Sequence, residues 1–95
     1  MADVDHVRTI QDHYVFLVDS LDAKYSGLVG ELYGADVLSK EESESVSCEV
    51  LSFRRNEKLL SMLSRKTMRQ FDKFLDALDS TGQQHIRNRI AGRQS

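Results

Sequence analysis

Thr67-Met68-Arg69-Gln70-Phe71-Asp72-Lys73-Phe74-Leu75-Asp76-Ala77-Leu78-Asp79-Ser80-Thr81-Gly82 is the stretch that decides the fold class. Met68, Phe71, Phe74, Leu75 and Leu78 recur three and four residues apart, which places them on one face of an α-helix. The spacing predicts a helix from about Thr67, broken by Asp79-Ser80-Thr81-Gly82, a run of polar turn formers ending in glycine. The same periodicity extends on both sides. Leu59, Leu60 and Leu63, with Met62 flanking, predict a preceding helix that starts near Phe53 or Arg54. Ile86 and Ile90 predict a last one ending around Gly92.

The N-terminal half reads the same way. Val7, Ile10, Tyr14, Leu17, Val18 and Leu21 form one apolar stripe over four turns, with Asp3 or Asp5 available to cap its start. A second helix carries Tyr25, Leu28, Val29 and Leu32 on one face, and Gly34 is its expected stop. Ser39-x-x-Glu42 has the form of a capping box, so a third, short helix should begin at Ser39, anchored by Val46 and Val50. The chain has no proline, whereas average usage of roughly 5% would give several. Helix interiors exclude proline; sheet edges and turns use it. No long apolar–polar alternation and no Asn-Gly or Asp-Gly hairpin signal appears. These readings sum to an all-α protein of six short helices in one bundle, with no linker, repeat or low-complexity tract.

Composition narrows the function. The chain has 95 residues, 40% apolar and 29% charged, a balance suited to one folded domain rather than a disordered segment. The longest apolar run, Tyr14 to Val18, is far short of the roughly 20 residues that span a bilayer. No apolar stretch follows a basic start, so no secretory signal is read, and the opening Met1 leads us to expect an N-terminal domain. Cys48 is the only cysteine. It has no partner for an internal disulfide, which suggests a reducing, cytoplasmic setting.

Catalytic and metal-binding patterns are not apparent. His6 and His13 share a helix face, but two histidines and one thiol do not make a structural zinc site. Cys48 and His85 are a conceivable nucleophile–base pair. A small, half-buried cysteine is the more ordinary reading of Cys48, between Val46 and Val50. The five glycines form neither GxGxxG nor a P-loop. No catalytic residue, metal site or cofactor is therefore assigned.

Charge is the informative feature. Residues 1–48 hold ten acids and three bases, a net of −7; residues 49–95 hold five acids and ten bases, a net of +5; the two give the overall −2. Arg54, Arg55 and Lys58 cluster at the start of a predicted helix, where positive charge opposes the helix dipole and local stability does not favour it. Glu31, Asp36, Glu41 and Glu42, with Glu44 beside them, gather around the predicted second and third helices. Opposite charge on two parts of one small domain is a basis for one copy attracting another.

Four stretches resemble the caspase recruitment domain family, in the right order over roughly residues 5–91. Gly34-Ala35-Asp36-Val37-Leu38-Ser39-Lys40-Glu41-Glu42 is similar to the family's passage between its second and third helices. Arg54-Arg55-Asn56-Glu57-Lys58-Leu59-Leu60-Ser61-Met62-Leu63 resembles its fourth helix. Phe71-Asp72-Lys73-Phe74-Leu75-Asp76-Ala77-Leu78 resembles its fifth. Asp79-Ser80-Thr81-Gly82-Gln83-Gln84 is similar to the turn found in initiator-caspase prodomains. The resemblance implies a six-helix antiparallel Greek-key bundle, the death fold, over a single domain 1–95 with a helical core of about 3–91. It implies a non-catalytic module in apoptotic or innate immune signalling. Such a module binds another caspase recruitment domain, in an adaptor, sensor or caspase, and can form heterologous or helical oligomers. On this chain the implied basic face is Arg54, Arg55 and Lys58, and the implied acidic face is Glu31, Asp36, Glu41 and Glu42. The chain departs from the pattern on its first helix. Between Arg8 and Lys24 it has Asp12, Asp19 and Asp22 and no base, so the basic face would be smaller or would draw on Arg65 and Lys66.

A death effector domain would carry a charged RxDL signature, where this chain reads Arg54-Arg55-Asn56-Glu57. A helix-turn-helix DNA binder would use the C-terminal helix, with Gln83, Gln84, His85, Arg87, Asn88 and Arg89 reading bases. The acidic overall balance argues against it, and neither nucleic acid nor membrane is expected as a partner.

Overall fold

A computed structural model of the chain describes residues 6–23 and 26–91, and every regular element among them is helical. The elements are α1 (His6–Asp12), α2 (Tyr14–Ser20), α3 (Leu28–Gly34), α4 (Lys40–Ser47), α5 (Ser52–Ser64), α6 (Met68–Ser80) and α7 (Gln84–Ala91). The expected all-α class is present, with seven helices in place of six among the described residues. The expected caps at Asp3 or Asp5, the core role of Tyr25 and the stop at Gly92 lie outside the described residues.

The extra helix arises because the first stripe is broken at His13, whose backbone leaves helical geometry (φ −116°, ψ 21°). His13 N–H still donates to the Thr9 carbonyl at 3.2 Å, and Leu17 N–H to the His13 carbonyl at 2.9 Å, so the joint is a kink and not a loop. The His13 ring Nδ1 also lies 3.1 Å from the Thr9 carbonyl oxygen. A side chain sharing its own helix's acceptor loosens the ladder at that point. The kink keeps Ile10, Leu17 and Leu21 in the core but turns Val7 and Tyr14 outward, against expectation; Tyr14 is 39% exposed.

The stop after α3 is also different from the one expected. Gly34 is the last helical residue, and the left-handed residue is Asp36 (φ 67°). Val37 and Leu38 both donate to the Leu32 carbonyl, at 2.9 and 3.3 Å, while their side chains enter the core. Burying that apolar pair after the turn offsets the strain of a left-handed aspartate. Gly82 (φ 78°) makes the sharper turn from α6 to α7, and Gln83 N–H closes it on the Leu78 carbonyl at 2.7 Å.

Local chemistry starts two helices where the sequence says. Ser39 caps α4, with Oγ accepting from Glu42 N–H at 3.1 Å and the Glu42 carboxylate accepting from Ser39 N–H at 2.9 Å. Thr67 and Gln70 form the same reciprocal box on α6. Val46 anchors α4 in the core. Val50 does not: it lies beyond the helix and is 84% exposed.

The core joins all the helices through Ile10, Leu17, Leu28, Leu32, Val46, Leu59, Leu63, Phe74, Leu78 and Ile86. Two buried amides tie loops to it. Asn56 Nδ2 donates to the carbonyls of Val18 and Leu21, at 2.8 and 3.0 Å, closing the end of α2 against α5. Gln83 accepts from Asp22 N–H at 2.9 Å and donates to Ser26 Oγ at 3.2 Å, pinning the α2–α3 connection to α7. Both satisfy backbone groups that no helix ladder reaches.

Candidate partner-binding surfaces

The predicted basic cluster divides into three different environments. Arg54 is exposed in the first turn of α5 and has no ion-pair partner among the described residues. Lys58, one turn on, pairs with Glu49 at 2.8 Å and lies 3.4 Å from the Ser45 carbonyl. The Lys58 ammonium, through its hydrogen bond and then its charge, holds the Glu49 carboxyl below its ordinary range. Arg55 corrects the sequence reading. It is 4% exposed, and its guanidinium turns inward to donate to the carbonyls of Glu49 and Val50. The segment between α4 and α5 leaves those carbonyls without helix partners, so Arg55 is a strut beneath the surface and not part of it. Arg54 and Lys58 instead share a hollow of about 400 Å³ with Tyr14, Glu49, Glu57 and Ser61, between α2, α5 and the segment that precedes α5.

The predicted acidic residues lie on α3, on α4 and in the turn between them; α3 packs on α4 and α6, while α5 packs on α1, α2 and α4. Glu31, Asp36 and Glu41 are exposed. The first lies on α3, the second in the α3–α4 turn and the third in the first turn of α4. Gln70 Nε2 donates to the Asp36 carbonyl at 3.2 Å and Lys73 Nζ to the Ala35 carbonyl at 3.1 Å, so α6 braces this turn. Glu42 is engaged at home: it closes the capping box and pairs with Lys66 at 2.8 Å. Lys66 thus neutralises part of the acidic side rather than extending the basic one. Arg65 is exposed and donates to Ser61 Oγ at 3.2 Å.

Glu42 carries a pH signature. The hydrogen bond from Lys66, then that from Ser39 N–H, holds its carboxyl below the ordinary 4.5. A carboxyl lowered by folding adds stability that is complete above its unfolded value and is lost as pH falls through its folded value. Glu42→Gln should therefore lower stability at neutral pH and flatten the acid limb below about pH 4.5. Denaturant melts from pH 7 down to 3 check this; parallel curves for parent and variant would contradict it.

Tyr33, half-exposed and missing from the sequence-derived faces, lines a hollow of about 340 Å³ between α3 and α4 together with the exposed Glu44, which the sequence reading set beside the acidic cluster. A signal for Tyr33 existed. It follows Leu32 directly, off the Leu28–Val29–Leu32 stripe, so a helical reading turns it away from the core.

Other candidate chemistry is dispersed. The ring of His6 lies against Phe71, with centroids 5.5 Å apart, and His13 bonds its own helix. Cys48 is exposed at the C-terminal cap of α4, not half-buried as expected. Among the described residues no cluster of three or more His, Cys, Asp or Glu is placed to hold a metal, and no helix is long and apolar enough to cross a membrane. Three of the six side chains offered for DNA reading are engaged: Gln83 is buried in its loop network, Arg87 pairs with Asp79, and Arg89 stacks over Phe16 at 4.5 Å.

No solved structure gives a significant match to the chain. The profile of the caspase recruitment domain matches residues 7–92, nearly the whole sequence. With its helical bundle and its helix-by-helix motifs, the chain belongs to the caspase recruitment domain family.

Proposed function

We propose that the chain recruits another caspase recruitment domain through opposed charged faces, in apoptotic or innate immune signalling within the cytoplasm. Membership implies homotypic protein–protein interaction in apoptosis and inflammation, and the family is one of interaction modules rather than catalysts. The observation that carries the finer reading is Arg54. An exposed cation in the first turn of a helix opposes the helix dipole, and the nearby Glu49 carboxylate, whose charge it feels, is already bonded to Lys58. A partner's acids would supply what the fold does not. Arg54 and Lys58, set on the Arg55 strut, form the basic face. Glu31, Asp36 and Glu41, with the partly neutralised Glu42, form the acidic one. Contacts between unlike faces are heterologous, so nothing requires them to close, and they can propagate into a helical oligomer.

Arg54→Glu and Glu41→Arg should each weaken binding to a second domain of this family by about tenfold or more, mainly through encounter and register. Arg54→Glu should leave the melting temperature no lower, while Glu41→Arg, which puts a cation in the first turn of α4, should lower it by only a few degrees and leave the domain folded. Raising salt should weaken the parent's binding, because exposed charges are screened beyond roughly 8–10 Å at physiological ionic strength. Titration calorimetry at two salt concentrations tests this. Binding by both variants equal to the parent's at every salt concentration would show the charges to be only a solvated surface.

A further inference from the structure

Arg65-Lys66-Thr67-Met68-Arg69 carries the chain from α5 into α6. Thr67 is the only serine or threonine of the sequence with a base on both sides within two positions. Residues 65–67 form the whole connection between the two helices, and Arg65 and Thr67 are exposed in it. Arg69, in the first turn of α6, is exposed and has no ion-pair partner among the described residues. The same connection holds a latch. Lys66 Nζ reaches across to α4 and pairs with the Glu42 carboxylate at 2.8 Å. Glu42 belongs to the capping box of α4 and Thr67 to that of α6, and Gln70 Nε2 donates to the Asp36 carbonyl at 3.2 Å, so the two boxes share one corner of the bundle. The Thr67 hydroxyl proton is dispensable there. Oγ1 accepts from Gln70 N–H at 3.1 Å, and the Gln70 side chain also accepts from Thr67 N–H at 3.1 Å. A phosphate ester keeps that oxygen in place and brings a charge of about −2 beside three bases, at a helix start that favours negative charge.

We propose that Thr67 is a phosphorylation site, and that its phosphate draws Lys66 away from Glu42 and so returns the Glu42 carboxylate to the acidic face. The flanking bases suit a kinase whose substrate groove is acidic. That kinase transfers the γ-phosphoryl group of ATP. The bond from Thr67 Oγ1 to the γ-phosphorus forms, the bond from that phosphorus to the β–γ bridging oxygen breaks, ADP leaves, and the hydroxyl proton is released. The doubly charged phosphate then competes with the single charge of Glu42 for the Lys66 ammonium. The consequence for recruitment rests on the opposed-face reading above; the latch itself does not.

Incubation of the folded chain with a purified basophilic serine/threonine kinase and magnesium ATP, read by intact and fragment mass spectrometry, tests the site. One phosphate should enter, at Thr67. Thr67→Asn, which keeps a capping acceptor, should fold like the parent and take up none. Arg65→Ala combined with Arg69→Ala should slow uptake by about tenfold or more, since both flanking charges are gone. A parent that takes up no phosphate at Thr67 overturns the proposal. The latch is tested by a double-mutant cycle of Lys66→Ala and Glu42→Gln, read from urea midpoints at about pH 7.5, where the phosphate carries both charges. In the unmodified chain the two losses should not add, because the residues share one ion pair. In the phosphorylated chain they should add, and a cycle equally non-additive in both forms overturns the proposal. Calorimetry with a second domain of this family then judges the wider reading separately. The phosphorylated parent should bind about threefold more tightly, the scale of one exposed ion pair, and Glu42→Gln should lose that gain. Additive losses with unchanged binding leave the latch standing and overturn the part given to Glu42 in the acidic face.

Discussion

Arg55→Glu leaves the chain largely unfolded at temperatures where the parent is native, whereas Arg54→Glu, one residue earlier, melts like the parent. The difference follows from where the two side chains go. Arg55 is buried, and its guanidinium satisfies the Glu49 and Val50 carbonyls in the segment between α4 and α5. A glutamate there removes both donors and puts a carboxylate against two carbonyl oxygens. Breaking a buried charged network by changing one partner costs about 3–5 kcal/mol. A domain of this size has about 5–15 kcal/mol in total. At about 4–8 °C per kcal/mol, the midpoint falls by roughly 12 °C or more. Arg55→Lys should recover part of the loss, since one ammonium can reach one carbonyl. Thermal melts followed by far-ultraviolet circular dichroism check the series. An Arg55→Glu midpoint within a degree or two of the parent's would show that the guanidinium is not a strut. The functional consequence is direct: lost binding by Arg55→Glu reports unfolding, and only Arg54 and Lys58 report the surface.

The same pair of residues shows where sequence reading ends. The charge run Arg54-Arg55-x-x-Lys58 is legible as a cluster, but periodicity cannot tell an exposed guanidinium from one folded back onto carbonyls. That depends on the path of residues 48–51, which no local rule sets. Elements governed by nearest neighbours were legible. The Ser39–Glu42 box starts α4 at the expected residue, and α6 begins after Thr67 because its apolar spacing and its cap agree. The kink at His13 was not legible, because the stripe from Val7 to Leu21 keeps helical spacing straight through it and no proline or glycine marks it. Asp36 took the left-handed position expected near Gly34 because burial of Val37 and Leu38, a tertiary demand, fixes where the chain turns. Tyr33 and Glu44 were individually visible. Their meeting across one hollow depends on how α3 packs on α4, which a single sequence does not state.

Phe74→Ala should destabilise the domain by about 3–5 kcal/mol, the range for removing a large ring from a closed core. Phe74 is fully buried (0% exposed), and its ring lies 5.6 Å from that of Phe71, so truncation opens a cavity and also removes an aromatic pair. Leu75→Ala is the instructive control. The helical stripe placed Leu75 among the core residues, but it is only partly buried at the edge of the cluster. Its truncation should cost about 1–2 kcal/mol, below the usual range for a fully buried leucine. Urea titrations that give midpoints and slopes for both variants decide this, and equal losses would place Leu75 in the core after all. The loss at Phe74 also reaches the acidic face. α6 carries Gln70 and Lys73, which hold the carbonyls of Asp36 and Ala35. A loosened α6 should therefore expose the amides of Val37 and Leu38, which donate to Leu32, to faster hydrogen exchange before the rest of the bundle. If those two amides keep the parent's protection relative to α5, α6 is not what braces the turn, and the α3–α4 connection is held by Val37 and Leu38 alone.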